Sequence, residues 1–201
     1  MIRKMTTMSF KQFLVNENHK NTYDYSSLMF ELPEDLTDSI ISWGFDHIPN
    51  ESIFLDKKQP SFGREDDVHV TLIYGIHTDD YEDVHHLFSK EKPFECKLGK
   101  MSLFKKNDKF DVLVINVDCE NLHELNSKMR RQIDATETHP QYIPHVTICY
   151  LKKGTGEQYI EDKSFLDEKF ECDKVIFSSK NGKKTTIKLG EKNEKRLDRT
   201  L

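Results

Sequence analysis

The sequence predicts an α+β fold in which strands outnumber helices. Three observations lead to this prediction. Strand-like and helix-like apolar segments alternate along the chain, a six-residue segment at His69 occurs again at His145, and the apolar content suffices for a core. Leu, Ile, Val and Phe form about a quarter of the 201 residues, above the roughly 20% below which disorder is expected.

Strands are predicted where β-branched and aromatic residues are enriched between turn-forming residues. Asn181-Gly182 is typical of a tight hairpin turn and predicts that the last two strands are paired. The predicted strands are residues 23–32, 52–55, 68–74, 94–104, 110–117, 145–151, 170–177 and 185–189.

Three helices are predicted from apolar residues spaced three and four positions apart. The first begins at Pro33, a favoured first helical residue, and ends near Gly44. The predicted apolar faces are Leu36, Ile40 and Trp43 in the first helix, Tyr81, Val84, Leu87 and Phe88 in the second, and Leu122, Leu125, Met129 and Ile133 in the third.

The composition restricts the classes of function. A net charge of −5 disfavours stable duplex DNA binding, because proteins that hold duplexes through phosphates normally carry a basic surplus. The four cysteines are widely spaced without a C-x-x-C pair, so we expect reduced, partly buried thiols and no metal site. Apolar runs stay short of 18 residues, which predicts no membrane partner and a cytoplasmic location.

One six-residue segment occurs twice. Residues 69–74 read His-Val-Thr-Leu-Ile-Tyr, and residues 145–150 read His-Val-Thr-Ile-Cys-Tyr. From the composition, roughly 0.004 segments of the form H-V-T-[IL] are expected by chance. The two copies therefore indicate an internal duplication.

Strand alternation predicts which side chains share a face. His69 and Thr71 lie on one face, and Val70, Leu72 and Tyr74 on the other; the second copy follows the same pattern. A single copy is typical of a half-buried histidine with polar neighbours. Two copies related by a pseudo-twofold axis favour a shared site, where paired imidazoles act as acid and base and hydroxyls bind phosphate oxygens.

These paired H-x-T segments resemble those of the two-histidine (2H) phosphoesterase superfamily. The stretch from Gly63 to Gly75 is most similar to the phage anti-CBASS phosphodiesterases, which degrade cyclic oligonucleotide messengers of bacterial antiviral defence. The resemblance implies a bilobal fold, with two pseudo-symmetric, mostly antiparallel sheets around a central cleft and helices outside. The expected domain is 22–190, preceded by an N-terminal extension (1–21) and followed by a tail (191–201). Its approximate lobes are 22–106 and 107–190, and an exchange of strands between them is left open.

The resemblance also implies a function. His69 and His145 would be general acid and base, and Thr71 and Thr147 phosphate binders, in a cofactor-independent phosphodiesterase that cleaves cyclic di- or trinucleotides. If the chain is encoded by a phage, it would act in the host cytoplasm. Two alternatives stay open: an enzyme that processes RNA ends or 2′,5′-linked oligonucleotides, and an inactive cyclic-nucleotide-binding or phage structural protein.

Further substrate contacts are predicted around the repeat. Tyr23, Tyr25 and Phe104 are candidates to stack on a nucleobase. Arg64 precedes the first histidine and is a candidate phosphate ligand. Lys152 follows the second repeat and could attract an anionic substrate.

Overall fold

A computed structural model describes residues 23–56, 62–137 and 141–191. The predicted extension, 1–21, and the tail from residue 192 onward lie outside the described residues. The described chain forms one eight-stranded sheet with three α-helices, which confirms the predicted α+β class. The strands are β1 (Ser26–Glu31), β2 (His69–Ile76), β3 (Phe94–Phe104), β4 (Phe110–Asp118), β5 (His145–Lys152), β6 (Lys169–Cys172), β7 (Lys174–Ser178) and β8 (Lys184–Lys188). The helices are α1 (Glu34–His47), α2 (Glu82–His85) and α3 (Glu120–Arg130).

The two halves of the sheet meet at the repeated segments. The strand order is β6-β3-β4-β5-β2-β1-β7-β8, with antiparallel pairing, and Val70 of β2 pairs with Val146 of β5 at the centre. The two sheets expected from the sequence are thus joined edge to edge into one. Strands β1 and β2 share their half of the sheet with β7 and β8. The approximate lobe boundary at residue 106 and the strand exchange between lobes remain predictions.

The sheet is curled. The predicted strand 170–177 is in fact two strands, β6 and β7, which are separated by Asp173 and occupy the first and seventh positions of the sheet. In a flat sheet these positions would be about 29 Å apart at about 4.8 Å per strand. Because Cys172 and Lys174 are two residues apart, their Cα atoms are at most about 7.6 Å apart. The sheet must therefore bend until β6 and β7 come close together.

The helices cover one face of the sheet. Helix α3 packs against β2 and α1 against β5, and the paired Val70 and Val146 are both fully buried in the main core. We call this side the core face. The opposite side, onto which the remaining side chains of β2 and β5 project, is called the histidine face.

Three predicted elements are shorter than expected. Strand β1 begins at Ser26, so Tyr23 and Tyr25 precede the strand in which they were predicted to alternate. Residues 52–55 are not a strand, because a 3₁₀ turn (Asn50–Ser52) leaves Ile53 with a single bridge to Leu151. The second predicted helix is one α-turn followed by a 3₁₀ turn.

The expectation of four reduced thiols is corrected by the structure. Cys96 on β3 and Cys119 after β4 form a disulfide with a Cα–Cα distance of 5.0 Å, whereas Cys149 and Cys172 are free and buried. The sequence did not indicate this pair because the antiparallel pairing of β3 with β4 brings together residues that are 23 positions apart.

We predict that Gly75→Ala destabilises the fold more than Gly154→Ala. Both glycines have positive φ angles, +101° and +77°, which disfavour alanine by about 1 kcal/mol. A Cβ at Gly75 would also lie 2.3 Å from the Thr136 carbonyl oxygen, whereas none of the described atoms lies within 4 Å of a Cβ at Gly154. In urea denaturation, Gly75→Ala should lower the free energy of unfolding by about 1–3 kcal/mol more than Gly154→Ala does. Equal losses would contradict the crowding argument.

Candidate active site

The pairing of β2 with β5 brings the two repeats together. Because Val70 and Val146 are opposite each other on the core face, the antiparallel register places His69 across from Thr147 and Thr71 across from His145 on the histidine face. Directly opposite residues in such strands have Cβ atoms about 5 Å apart. All four side chains are half-buried. The predicted residues therefore form one compact patch, in which each histidine faces the threonine of the other repeat.

Each repeat also contains a β-bulge. Opposite β1, Met29 pairs with Thr71 but Leu28 pairs with Ile73, so Leu72 is the extra residue. Opposite β4, Val114 pairs with Thr147 but Leu113 pairs with Cys149, so Ile148 is the extra residue. The bulges lie at the same position in both copies, which extends the internal symmetry from sequence to backbone.

The bulges change the face of the last residue in each repeat. Simple alternation predicted Tyr74 and Tyr150 on the core side, but the extra residue turns both toward the histidine face. Tyr74 then pairs with Ser27, and Tyr150 with Val112. Sequence reasoning missed both tyrosines as site residues. Their occurrence at the sixth position of both copies was the available signal.

Backbone carbonyls orient both imidazoles. The Nδ1 atom of His69 contacts the carbonyl oxygen of Asp67, and Nδ1 of His145 lies 2.6 Å from the carbonyl oxygen of Ile143. A carbonyl only accepts hydrogen bonds, so each Nδ1 carries the proton. This leaves Nε2 as the nitrogen that exchanges protons with a substrate in both rings. In both repeats the orienting carbonyl is two residues before the histidine.

Apolar side chains surround the threonines. Met29 pairs with Thr71, Val114 pairs with Thr147, and Ile176 pairs with Met29 from β7. All three are buried, at most 6% exposed, yet within the described chain they are outside the main core cluster. The histidine face is therefore recessed around the threonines, and a hydrogen bond made there is partly shielded from water.

The neighbours of the two histidines differ. Glu31 pairs with His69 from β1, whereas Asn116 pairs with His145 from β4 and accepts a 2.9 Å hydrogen bond from the Ser102 hydroxyl. Lys184 on β8 lies 2.7 Å from an Asp67 carboxylate oxygen and 3.4 Å from a Glu31 oxygen. An ion-pair network thus supports the first histidine, and neutral amide and hydroxyl groups adjoin the second.

Glu65 lies in the segment that leads to the first histidine. Its backbone N–H donates to the Ile148 carbonyl of β5 at 2.9 Å, beyond the Val70–Val146 pair that joins β5 to β2. Burial, with a smaller contribution from the nearby charges of Asp66 and Asp67, raises the pKa of the Glu65 carboxyl to about 7, against hydrogen bonds from backbone N–H groups that lower it. The Glu65 carboxyl is therefore partly protonated near neutral pH.

The three residues predicted to stack on a base differ in their distance from the repeats. The Phe104 ring meets the His145 ring at 4.7 Å in an edge-to-face contact on the histidine face. Tyr25 packs edge-to-face on Tyr74 at 5.8 Å. Tyr23 is 43% exposed, and its backbone N–H donates to the Lys180 carbonyl at 2.7 Å. The structure thus brings Phe104 and Tyr25 to the ends of the repeats, and places Tyr23 on the surface.

Arg64 and Lys152 lie away from the four-residue patch. The Arg64 guanidinium donates to the carbonyls of Gly44 and Ile48 at the end of α1, and stacks on Phe45 at 4.7 Å. These bonds complete the helix terminus, so the predicted phosphate contact of Arg64 is not retained. Lys152 is on the histidine face, opposite Phe110 and five residues from Thr147, or about 16 Å along β5.

Metal ligands and membrane-spanning helices are both lacking in the described part of the chain. Residues 23–56, 62–137 and 141–191 contain no group of three or more His, Cys, Asp or Glu side chains placed to hold a metal ion. Among the helices in those same ranges, none is both long and apolar enough to cross a membrane.

The comparison with protein families decides the relationship. The model of the anti-CBASS protein Acb1 family matches residues 55–185, well over half of the chain and including both repeats. The chain belongs to the Acb1 family. No curated protein matches it in sequence.

The fold of this Acb1 family member is shared with phosphoesterases of known structure. TT0787 of Thermus thermophilus aligns over 84% of this chain and 100% of its own, with a TM-score of 0.59 and 14% identity. Escherichia coli LigT, complexed with 3′-AMP, aligns over 84% and 95%, with a TM-score of 0.55 and 15% identity. Kluyveromyces marxianus Usb1, with uridine monophosphate, aligns over 85% and 99%, with a TM-score of 0.50 and 14% identity. The suspected 2H phosphoesterase fold is thus confirmed.

We predict that Glu65 makes the stability of this Acb1 protein depend on pH. In the unfolded chain the carboxyl loses its proton near its ordinary pKa of 4.5, and in the folded chain near 7. Between these values the folded state binds more protons, so the free energy of unfolding falls as the pH rises. In urea titrations, the free energy of unfolding of the wild type, relative to that of Glu65→Gln, should fall by up to about 3 kcal/mol between pH 4.5 and pH 7.

The matched control is Glu51→Gln, at an exposed position. The same titrations of this variant measure the effect of replacing a surface carboxyl. A difference between the wild type and Glu65→Gln that does not change with pH would contradict the assigned burial of Glu65.

Proposed function

We propose that the chain is a metal-independent phosphodiesterase that hydrolyses the 3′,5′ bonds of cyclic di- or trinucleotide messengers and thereby counteracts CBASS immunity. The observation that carries the proposal is the crosswise arrangement of His69, Thr71, His145 and Thr147 on one recessed face. Membership of the Acb1 family supports the biological role.

The two histidines would share the proton transfers. The Nε2 atom of one neutral imidazole takes the proton from the attacking hydroxyl, which is water or a ribose 2′-OH, as its oxygen forms a bond to phosphorus. The bond from phosphorus to the 5′ oxygen then breaks, and the other, protonated imidazole donates its Nε2 proton to the leaving oxygen. If a 2′,3′-cyclic phosphate forms, water opens it with the two roles reversed. Each proton transfer typically contributes about 10²–10⁴ in rate.

The threonines would hold the phosphate between the histidines. Each hydroxyl can donate to a non-bridging phosphate oxygen, and a hydrogen bond to a charged group contributes about 1.5–3 kcal/mol. The buried Met29 and Val114 beside them reduce competition from water. Since His69 is opposite Thr147 and His145 is opposite Thr71, a phosphate at the centre of the patch can meet all four side chains.

The net charge of the chain and the aromatic rings near the patch support the proposed substrate class. A net charge of −5 is less suited to a long polyanionic strand than to a small ligand with few phosphates. Tyr25, packed on Tyr74, and Phe104, packed on His145, provide aromatic rings close to the patch on which bases can stack. LigT and Usb1, which share this fold, have been crystallised with 3′-AMP and uridine monophosphate.

We predict that His69→Ala and His145→Ala each lower kcat on a cyclic dinucleotide by about 10²–10⁴, because each removes one proton transfer. The double variant should be little worse than either single variant, since the two histidines act as a unit. Product formation would be followed by chromatography in EDTA, with the exposed His86→Ala as the matched control.

A substrate panel tests the proposal further. It contains cyclic dinucleotides, cyclic trinucleotides, 2′,5′-oligoadenylate and single-stranded RNA. Preferred cleavage of the cyclic compounds supports the proposal, and preferred cleavage of the linear ones favours RNA or 2′,5′ processing. Binding of a cyclic compound without turnover would identify an inactive binding protein, and an absolute metal requirement would contradict the mechanism.

We predict that Lys184→Met lowers kcat by about tenfold with little change in KM. Its ammonium group holds the Asp67 carboxylate at 2.7 Å, and the Asp67 carbonyl orients His69. The matched control is Lys169→Met, which removes another 2.7 Å ion pair, with Glu95, at the remote sheet edge. The ¹⁵N spectrum of His69 should show loss of the single tautomer only in the Lys184 variant. An unchanged tautomer and kcat would rule out a positioning role.

A further inference from the structure

Four aromatic rings gather on the histidine face at the end of the second repeat. Phe62 lies 4.9 Å from both Phe110 and Tyr150, and Phe54 lies 5.1 Å from Phe110, measured between ring centroids. We call this group, Phe54, Phe62, Phe110 and Tyr150, the aromatic cluster. It was not among the residues that the sequence indicated.

The sheet register places the aromatic cluster beside the catalytic patch. Along β4, Phe110, Val112, Val114 and Asn116 alternate on one face, and the last three pair with Tyr150, Thr147 and His145 of β5. Because of the bulge at Ile148, Tyr150 is the next residue after Thr147 on that face. The two Cα atoms are three residues apart, which is at most about 10 Å. A nucleobase attached to a ribose whose phosphate is held at Thr147 spans a similar distance.

The cluster is separate from the hydrophobic core. All four rings are half-buried, and within the described chain they belong neither to the main core cluster nor to the partly buried residues that pack on it. They contact one another at tilted or edge-to-face angles of 37° to 74°, so none of these contacts is a face-to-face stack. A core role therefore does not account for them.

The first repeat has a smaller counterpart. Tyr74 is in the same position of its repeat as Tyr150 and packs edge-to-face with Tyr25 at 5.8 Å. We call Tyr25 and Tyr74 the tyrosine pair. The catalytic patch is thus flanked along its two strands by aromatic groups of unequal size, one for each repeat.

We propose that the aromatic cluster is a nucleobase subsite, and that the tyrosine pair contacts the base on the other side of the scissile phosphate. This inference rests on the proposed phosphodiesterase function. A dinucleotide unit has one base on either side of its phosphate, and the site has one aromatic group on either side of the four-residue patch. Stacking of a base on such rings contributes about 5- to 150-fold in affinity.

The aromatic cluster and the tyrosine pair differ in their number of rings, so the two subsites should differ in how strongly they bind a base. The cluster has four rings, whereas the tyrosine pair has two. We therefore expect the base at the aromatic cluster to dominate binding. A ligand that lacks the base at the aromatic cluster should therefore bind more weakly than a ligand that lacks the base at the tyrosine pair.

The experiment uses two dinucleoside monophosphates that contain 2-aminopurine, a fluorescent base quenched by stacking, in either the 5′ or the 3′ nucleoside. Titrations are made with the full chain carrying His69→Ala, which slows turnover and leaves the Phe104–His145 contact in place. Phe62→Ala and Phe110→Leu are compared with Phe45→Ala, which alters an exposed phenylalanine on α1. The Phe110→Leu variant keeps apolar volume and removes the aromatic face.

In the expected result one positional isomer is quenched by the aromatic cluster, and Phe62→Ala or Phe110→Leu relieves the quenching and weakens binding roughly 5- to 150-fold. Tyr25→Ala should affect the other isomer, and Phe45→Ala neither. If binding and quenching of both isomers are unchanged in the cluster variants, the inference is overturned.

The result is separable from the proposed function. Hydrolysis by the wild type with no effect of the cluster variants would overturn the subsite alone. Quenching that depends on the cluster, in a wild type that hydrolyses none of the panel compounds, would support the subsite and overturn the phosphodiesterase activity. Absence of both binding and hydrolysis would overturn both.

Discussion

The site depends on the pairing of Val70 with Val146. This one backbone pair fixes the register between β2 and β5, buries both valines on the core face, and thereby puts two histidines and two threonines on the other side. A shift of one residue in either strand would exchange the buried and polar faces of a repeat. The chemistry of the site and the packing of the core are therefore specified by the same contact, and neither can change without the other.

Much of this arrangement is encoded locally and was predictable. The repeated segments gave the four central residues, and alternation correctly placed each histidine with its threonine on one face. The α+β class and most element positions followed from apolar periodicity. These predictions succeeded because they depend on residues close together in sequence, where strand geometry has a fixed period of two.

The rest depends on pairing between distant segments. Alternation failed at Tyr74 and Tyr150 because the bulges are defined by the partner strands, β1 and β4, and not by the repeats themselves. The Cys96–Cys119 disulfide, the ion pair of Lys184 with Asp67 and the aromatic cluster likewise join residues far apart in the chain. Arg64 was misplaced for the opposite reason: proximity to His69 in sequence suggested a substrate contact, but its side chain extends to the end of α1.

The two repeats are more alike in their backbone than in the side chains that surround their histidines. Both repeats share the bulge, the tyrosine and the carbonyl two residues before the histidine. Yet Glu31 stands beside one histidine and Asn116 beside the other, and the ring of Phe104 meets the second. Such differences give two chemically identical imidazoles separate environments, as the proposed reaction, with its distinct attacking and leaving oxygens, requires.

The link at Asp173 has a mechanical consequence. Because the single residue Asp173 connects the first and seventh strands of the sheet order, the chain joins the two halves at a second place besides the Val70–Val146 pair. The halves cannot swing apart like two bodies on a flexible hinge without breaking strand pairing on one side or the other. The distance between the histidines is thus set when the chain folds, before a ligand binds.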